Sequence, residues 1–276
     1  MKRLINIILS FVAIVTITYF TYQSYKSATI LEKANKEYYE AKSDLEGLIK
    51  RKFNSLLSTL TLGMVESKDK KPDLNELKAN QIVALDSSKK AIKYFGISLL
   101  SLVILFFILD IYYFSLTTAI ISLITLLFGV ITPILMIVIH KNVKYLGDVI
   151  LSFESKTILG TIGHLYHNGN YPIALTILLF SVIVPLIKSI SMILVLIFKE
   201  LHLAKKIVAL FKHLGKWSMI DVFVVSLLLV YLSAGSSQNS YSQIENGTYI
   251  FLAYVILSII TSIGVDRVLS SQEAWY

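Results

Sequence analysis

Six apolar runs, each close to the length of a bilayer crossing, constrain this chain more than anything else in it: residues 4–22, 94–114, 116–139, 173–198, 217–232 and 249–265. Crossing a hydrocarbon layer of about 30 Å takes roughly 20 helical residues. Every backbone polar group inside that layer must find its partner within the protein, so each run is read as a membrane helix. Between them the six runs hold three charged residues, Asp110, Lys188 and Asp221. With 55% apolar and 16% charged residues among 276 and a mean hydropathy of +0.69, the chain lies far from a soluble domain, which carries about 25% charged residues. The fold class is an all-α polytopic membrane protein of about six transmembrane helices. Its net charge of +8 fits basic residues beside membrane helices and requires no nucleic acid. The absence of cysteine excludes disulfides, thiolate metal sites and a cysteine nucleophile.

Residues 1–22 are read as an uncleaved N-terminal anchor, because the apolar run is long and the bulky Gln23-Ser24-Tyr25-Lys26 that follows offers no small-residue cleavage site. Residues 23–93 turn hydrophilic, with 14 Lys/Arg and 10 Asp/Glu, and form a soluble insertion. Leu31, Ala34, Tyr38, Ala41, Leu45 and Leu48 recur at spacings of three and four, which draws an apolar stripe along a helix for packing against a neighbour or a coiled-coil partner. A polar turn over 66–72 and a return helix over 73–93 complete a helical hairpin outside the membrane. Residues 94–115 supply an additional membrane helix, joined through a tight turn near Asp110 to a four-helix domain over 116–276. Pro133 and Pro185 are expected to kink the third and fourth membrane helices. Residues 140–171 are amphipathic and read as an interfacial re-entry or surface helix. His164 and His167 share a helix face there, but two ligands without a nearby carboxylate do not make a metal site.

Lys188 lies ten residues from Phe198, about 15 Å along a helix, which is beyond the reach of its side chain to the interface. A lysine so placed costs roughly 2.5 to 3.5 kcal/mol on insertion scales, and Asp221 on the following helix is the natural partner. Ser218 and Asp221 also have capping-box spacing, and the two roles are compatible. Ser181, Ser258 and Thr261 complete the expected polar intramembrane network, with Ser189 and Ser191 adding hydroxyls. Residues 199–216 carry five lysines against Glu200. By the positive-inside rule that loop and both termini face the cytoplasm, and the 23–93 hairpin faces the opposite side.

Phe180-Ser181-x-x-x-Pro185-x-x-Lys188, then Gly215-x-Trp217-Ser218-Met219-x-Asp221-Val222-Phe223, and finally Gly264-Val265-Asp266-Arg267 together resemble the membrane domain of the paraquat-inducible protein A family. Gly215, Trp217, Ser218, Met219 and Asp221 carry the most specific part. The resemblance covers residues from about 116 to the C-terminus. It implies a bacterial inner-membrane protein, and several family members work with mammalian-cell-entry (MCE) domain partners that form tunnels for lipids across the periplasm. Better-known members join two four-helix domains and carry cysteine zinc ribbons. This chain has one domain and no cysteine, so a single copy would pair with itself as a homo-oligomer.

Three function classes stay open. Lipid trafficking, with membrane lipids and an MCE-domain protein as partners, predicts an apolar cavity opening to the bilayer. A proton- or ion-coupled transporter of a small solute predicts a water-lined cavity, and a non-transporting scaffold predicts neither. An enzyme is not expected, since HExxH, Gly-x-Ser-x-Gly, paired intramembrane aspartates and a Gly-rich phosphate loop are all missing from the sequence. No cofactor or metal is expected either.

Overall fold

The structure, a computed structural model, describes residues 2–43, 74–143, 147–198 and 240–273. α1 (Lys2–Ser43) is one uninterrupted helix of 42 residues, about 63 Å at 1.5 Å per residue, twice the depth of a hydrocarbon layer. α2 (Leu74–Ile108) is likewise continuous over 35 residues. The anchor, the described parts of the hairpin and the second membrane segment are therefore two long helices that pass through residues 22–23 and 93–94 without a break. They pack antiparallel, with Phe20 against Tyr94 near the membrane and Gln81 donating to Asn35 at 2.8 Å farther out. Ile17, Thr21, Ser24, Ala28, Leu31 and Asn35 are buried along α1, so Leu31 belongs to the packed stripe but Asn35 replaces Ala34 in it. Leu45 and Leu48 and the 66–72 turn lie outside the described residues. Phe11, Val15, Leu100 and Phe107 are half or more exposed, the surface expected of helices whose outer faces meet lipid.

α3 (Ile111–Ile131) follows at once. The break between the second and third membrane helices falls at Leu109–Asp110, at the turn expected near Asp110 and ahead of the boundary between the two apolar runs. Asp110 takes the N-cap position with an extended backbone, whereas Ser115 stays helical by donating to the Ile111 carbonyl at 2.7 Å. The Asn6 side-chain amide donates to the Asp110 carboxylate, which joins the start of α1 to this turn.

The largest correction comes at Pro133. The 116–139 run is not one helix, and Pro133 ends α3 instead of kinking it. The proline ring drives the preceding residue out of the α region, and Thr132 is accordingly extended at φ −79°, ψ 142°. β1 (Leu135–Val143) follows, paired antiparallel with β2 (Gly147–Lys156) on one side and β3 (Ser240–Ile244) on the other, in the order β2-β1-β3. The 140–171 segment is thus strand, strand and the short α4 (Ile158–His167), not an interfacial helix. The fourth membrane helix, Tyr171–Ile197, consists of α5 (Tyr171–Leu178), a π-helical turn over Leu179–Ile183, and α6 (Val184–Ile197). α7 (Asn246–Glu273) closes the bundle. Five helices among the described residues are long and apolar enough to cross a membrane; the expected span over 217–232 lies outside them. The protein is a helix-dominated polytopic membrane protein with a small sheet at one end.

α3 and α7 form the tightest seam. They run antiparallel in a single register, with Gly129 beside Phe251, Thr118 beside Thr261 and Ser115 beside Gly264. Lipid removes the hydrophobic drive between helices, so close approach through small residues is what holds such a pair. A β-carbon on Gly129 would sit 3.0 Å from the Phe251 Cα, and one on Gly247 would sit 2.5 Å from the Thr132 and Pro133 carbonyl oxygens. The Gly247 contact involves only backbone and has no side chain that can swing away. Gly247→Ala is expected to cost about 1–3 kcal/mol, the usual range for overpacking. Gly96→Ala, in open space on α2, is expected to be neutral or mildly stabilising. Thermal unfolding of both variants in detergent checks this, and equal midpoints would sink it.

Candidate functional site

Polar groups gather at two places in this fold, one inside the bundle and one at the sheet end. Inside, Pro185 lacks an N–H, so a regular α-helix would leave a carbonyl unbonded; the chain meets this with the wider π turn immediately before it. Ser181 is buried within that turn, and Pro185, Ser189, Met192 and Leu196 continue the buried face along α6. Lys188 is half-buried beside that face. The Ser189 hydroxyl is buried without a hydrogen-bond partner among the described residues.

Thr261 and Ser258 are buried on α7. Thr261 donates to the Thr118 hydroxyl of α3 at 3.2 Å, so α3 supplies a polar member that the sequence reading missed. Ser115, Thr118, Ser122 and Thr125 are all buried at alternating spacings of three and four, which was the available signal. Asp221 and Ser218, with Gly215, Trp217 and Met219, fall outside the described residues, and so does the expected pairing of Asp221 with Lys188.

At the sheet end a cavity of about 1120 Å³ opens between the far part of α1, β2, α4 and the start of α5. Ile134 and Ile150 are buried residues of its wall, with Phe153, Leu165 and Ile177 beside them. Tyr39 of α1 stacks on Phe153 of β2 with ring centroids 5.1 Å apart, which ties the long helix to the sheet. Around the wall Lys156 pairs with Glu154 at 2.9 Å and Lys36 approaches Glu40 at 3.9 Å. His164 also faces the cavity, with its ring 3.3 Å from the Asn168 amide; both it and His167 are exposed. The volume exceeds the roughly 300–1,000 Å³ of ordinary small-molecule pockets.

Glu245 and Asn246 sit where the sheet, α1 and α7 meet. The Asn246 amide reaches the Ser24 hydroxyl at 3.2 Å and the Ser88 carbonyl at 3.3 Å, binding α1, α2 and α7 together. Glu245 is 4% exposed, and its backbone N–H donates to the Ile134 carbonyl at 3.0 Å. Burial, reinforced by the nearby Glu32 carboxylate, pushes its pKa up from 4.5 to about 7. Tyr39 of α1 also lies within its field.

The folded protein thus keeps a proton on Glu245 that the unfolded chain releases above pH 4.5. This contribution to stability is complete below pH 4.5, is lost as pH rises through about 7, and is flat beyond. The wild type is expected to lose on the order of 2–3 kcal/mol between pH 4.5 and 8 from this group. Glu245→Gln should remove most of that slope and melt higher than wild type at pH 8. Parallel pH–stability curves for the two proteins would count against it.

Comparison with known proteins places this geometry in a family. The Paraquat-inducible protein A family model matches residues 114–273, more than half of the chain, from α3 through α7. The Intermembrane transport protein PqiA of Escherichia coli (strain K12) is 30% identical over 132 residues, covering 45% of this chain and 30% of that relative. The proteins of the same name from Escherichia coli O6:H1 and Shigella flexneri match equally well. The match therefore spans less than a third of the relatives' length. No solved structure matches. With nearly all of α3 and the whole of the sheet, α5–α6 and α7 inside the matched stretch, this chain belongs to the paraquat-inducible protein A family.

Proposed function

We propose that this protein is an inner-membrane component of a lipid-trafficking system between membranes, and that the cavity at the sheet end is where it holds lipid. One observation carries the reading. The cavity is lined both by the first turns of a membrane helix, at Ile173, Thr176 and Ile177, and by α1 and β2 residues beyond the apolar run. A cavity so placed joins the hydrocarbon layer to a space outside it, which suits an amphiphile better than a small polar solute. The relatives' name, intermembrane transport protein, points the same way.

In this proposal the sheet end faces away from the cytoplasm, the termini face it, and the far parts of α1 and α2 meet an MCE-domain partner or a second copy of the chain. Lys188 and Asp221 form the polar centre that couples the cavity to proton movement. The protein performs no catalysis of its own.

Lipid extracted from protein purified in mild detergent and identified by mass spectrometry tests the cavity. The expected result is near-stoichiometric lipid in wild type and at least a tenfold loss in Thr161→Trp. Wild-type protein free of lipid, or unchanged occupancy in the variant, would refute the cavity's role. The cysteine-free sequence makes the orientation equally accessible. A cysteine at Asn168 should react with impermeant maleimide in intact cells and one at Ser270 only after lysis; the reverse pattern would invert the topology. Lys188→Ala and Asp221→Asn should insert and fold while losing lipid movement, and full activity in both would remove them from the mechanism.

A further inference from the structure

The corner between α4 and α5 has a surface that contact with water does not explain. From Thr157 to Ile187 the chain has no Lys, Arg, Asp or Glu. Residues 157–170 come before the membrane span, and at the usual quarter they would carry about three charges. α4 itself has three faces. Ile158 and Ile162 pack with Leu126, Val130 and Val255, which lie within membrane spans, so α4 is held against the bundle. Thr161 and His164 line the cavity. Leu159, Gly163 and Tyr166 share the remaining face: Leu159 is 44% and Tyr166 60% exposed, and a β-carbon on Gly163 would meet nothing within 4 Å. Tyr166 meets Tyr171 edge to face with ring centroids 5.1 Å apart. Tyr171 is the first residue of a membrane span that continues with the exposed Ile173 and Leu175.

We propose that the α4–α5 corner lies in the bilayer leaflet nearest the sheet, with Leu159, Gly163 and Tyr166 toward lipid, and that amphiphiles cross over α4 between that leaflet and the cavity. Lipid is the occupant of this face because the face leads directly into the exposed apolar side of α5, a helix that spans the membrane. The tyrosine pair agrees, since an apolar ring with a polar tip suits the boundary between hydrocarbon and water. An uncharged helix with an apolar outer face and its other flank on the cavity is a threshold. A lipid that crosses it travels about 10 Å, the width of one helix. The leaflet placement stands on its own, whereas the crossing rests on the lipid-holding role proposed above and names its entrance.

The full chain in phosphatidylcholine vesicles, with a nitroxide on a single introduced cysteine, tests the placement. Oxygen partitions into lipid and a nickel chelate stays in water, so the ratio of their collisions with the nitroxide reads depth. At Leu159→Cys and Gly163→Cys that ratio is expected to be at least tenfold the ratio at Lys78→Cys, an exposed position far out on α2. A ratio equal to that at Lys78→Cys would put the face in water, and protection from both reagents would put it against another protein surface; either result overturns the placement. The crossing is read from protein stripped of lipid and mixed with the same vesicles. Gly163→Asp adds a charge in open space, so it is expected to fold, and it should take up lipid at least fivefold more slowly than Gly163→Asn while reaching the same occupancy. Equal rates would overturn the crossing and leave the leaflet placement and the lipid cavity standing. Wild-type protein that takes up no lipid would overturn the crossing together with the lipid-holding role.

Discussion

The close approach of α3 to α7 is the interaction from which the rest of this structure follows. In lipid, apolar side chains gain nothing by leaving a hydrocarbon solvent for one another, so a helix pair is fixed by how near its backbones can come. Here small residues on both helices set one register from Ser115–Gly264 to Gly129–Phe251. That register continues past the membrane end of the pair. The Gly247 N–H donates to the Pro133 carbonyl at 2.8 Å, the Glu245 N–H to Ile134 at 3.0 Å, and the Thr248 hydroxyl to Ile134 at 2.7 Å. These bonds hand the chain from helix to sheet, so β3 meets β1 because α7 meets α3. The sheet is an outgrowth of the helix seam, and the cavity is built on the far edge of that sheet.

How much of this was legible in the sequence follows from where each signal lives. Membrane helices were readable because the bilayer demands long uncharged runs, and α5–α6, α7 and the membrane parts of α1 and α2 all followed from that demand. β1 was not readable as a strand. Its first five residues, Leu135 to Ile139, prolong the apolar run of α3, and an apolar run does not by itself distinguish helix from strand; the β-branched Ile137, Val138 and Ile139 after Pro133 were the overlooked cue. β3 is mostly polar and owes its strand form to the free edge of β1. Lys188, Ser181, Ser258 and Thr261 were singled out because polar groups stand out in apolar runs. Thr118 and its neighbours were passed over because threonines and serines that bond back to their own helix raise no charge signal. Glu245 lay in a loop, and only the fold shows it to be buried. The cavity had no local signature, since it lies between α1 and β2, separated by some hundred residues of chain.

That separation also divides the cavity by descent. Residues matching the family begin at 114, so β2, α4 and α5 belong to the shared scaffold. Glu32, Lys36, Tyr39 and Glu40 come from a helix that precedes it. The α1 wall of the cavity therefore lies outside the matched stretch. α1 touches the sheet through side chains such as Tyr39 on Phe153 and Asn35 on Met136, not through a shared ladder of backbone hydrogen bonds.

α1 itself has a mechanical meaning. It touches the Asp110 turn through Asn6 at one end of the bundle and forms the cavity wall through Tyr39 at the other, 33 residues or about 50 Å away along one helix. An uninterrupted helix of that length behaves as a rod, and a tilt of about 4° about its inner end displaces its outer end by roughly 3.5 Å at the same rise per residue. That is comparable to the width of a hydrocarbon chain. A change of angle where Asn6 meets Asp110 therefore moves the Tyr39 wall of the cavity, with no rearrangement required in the bundle between.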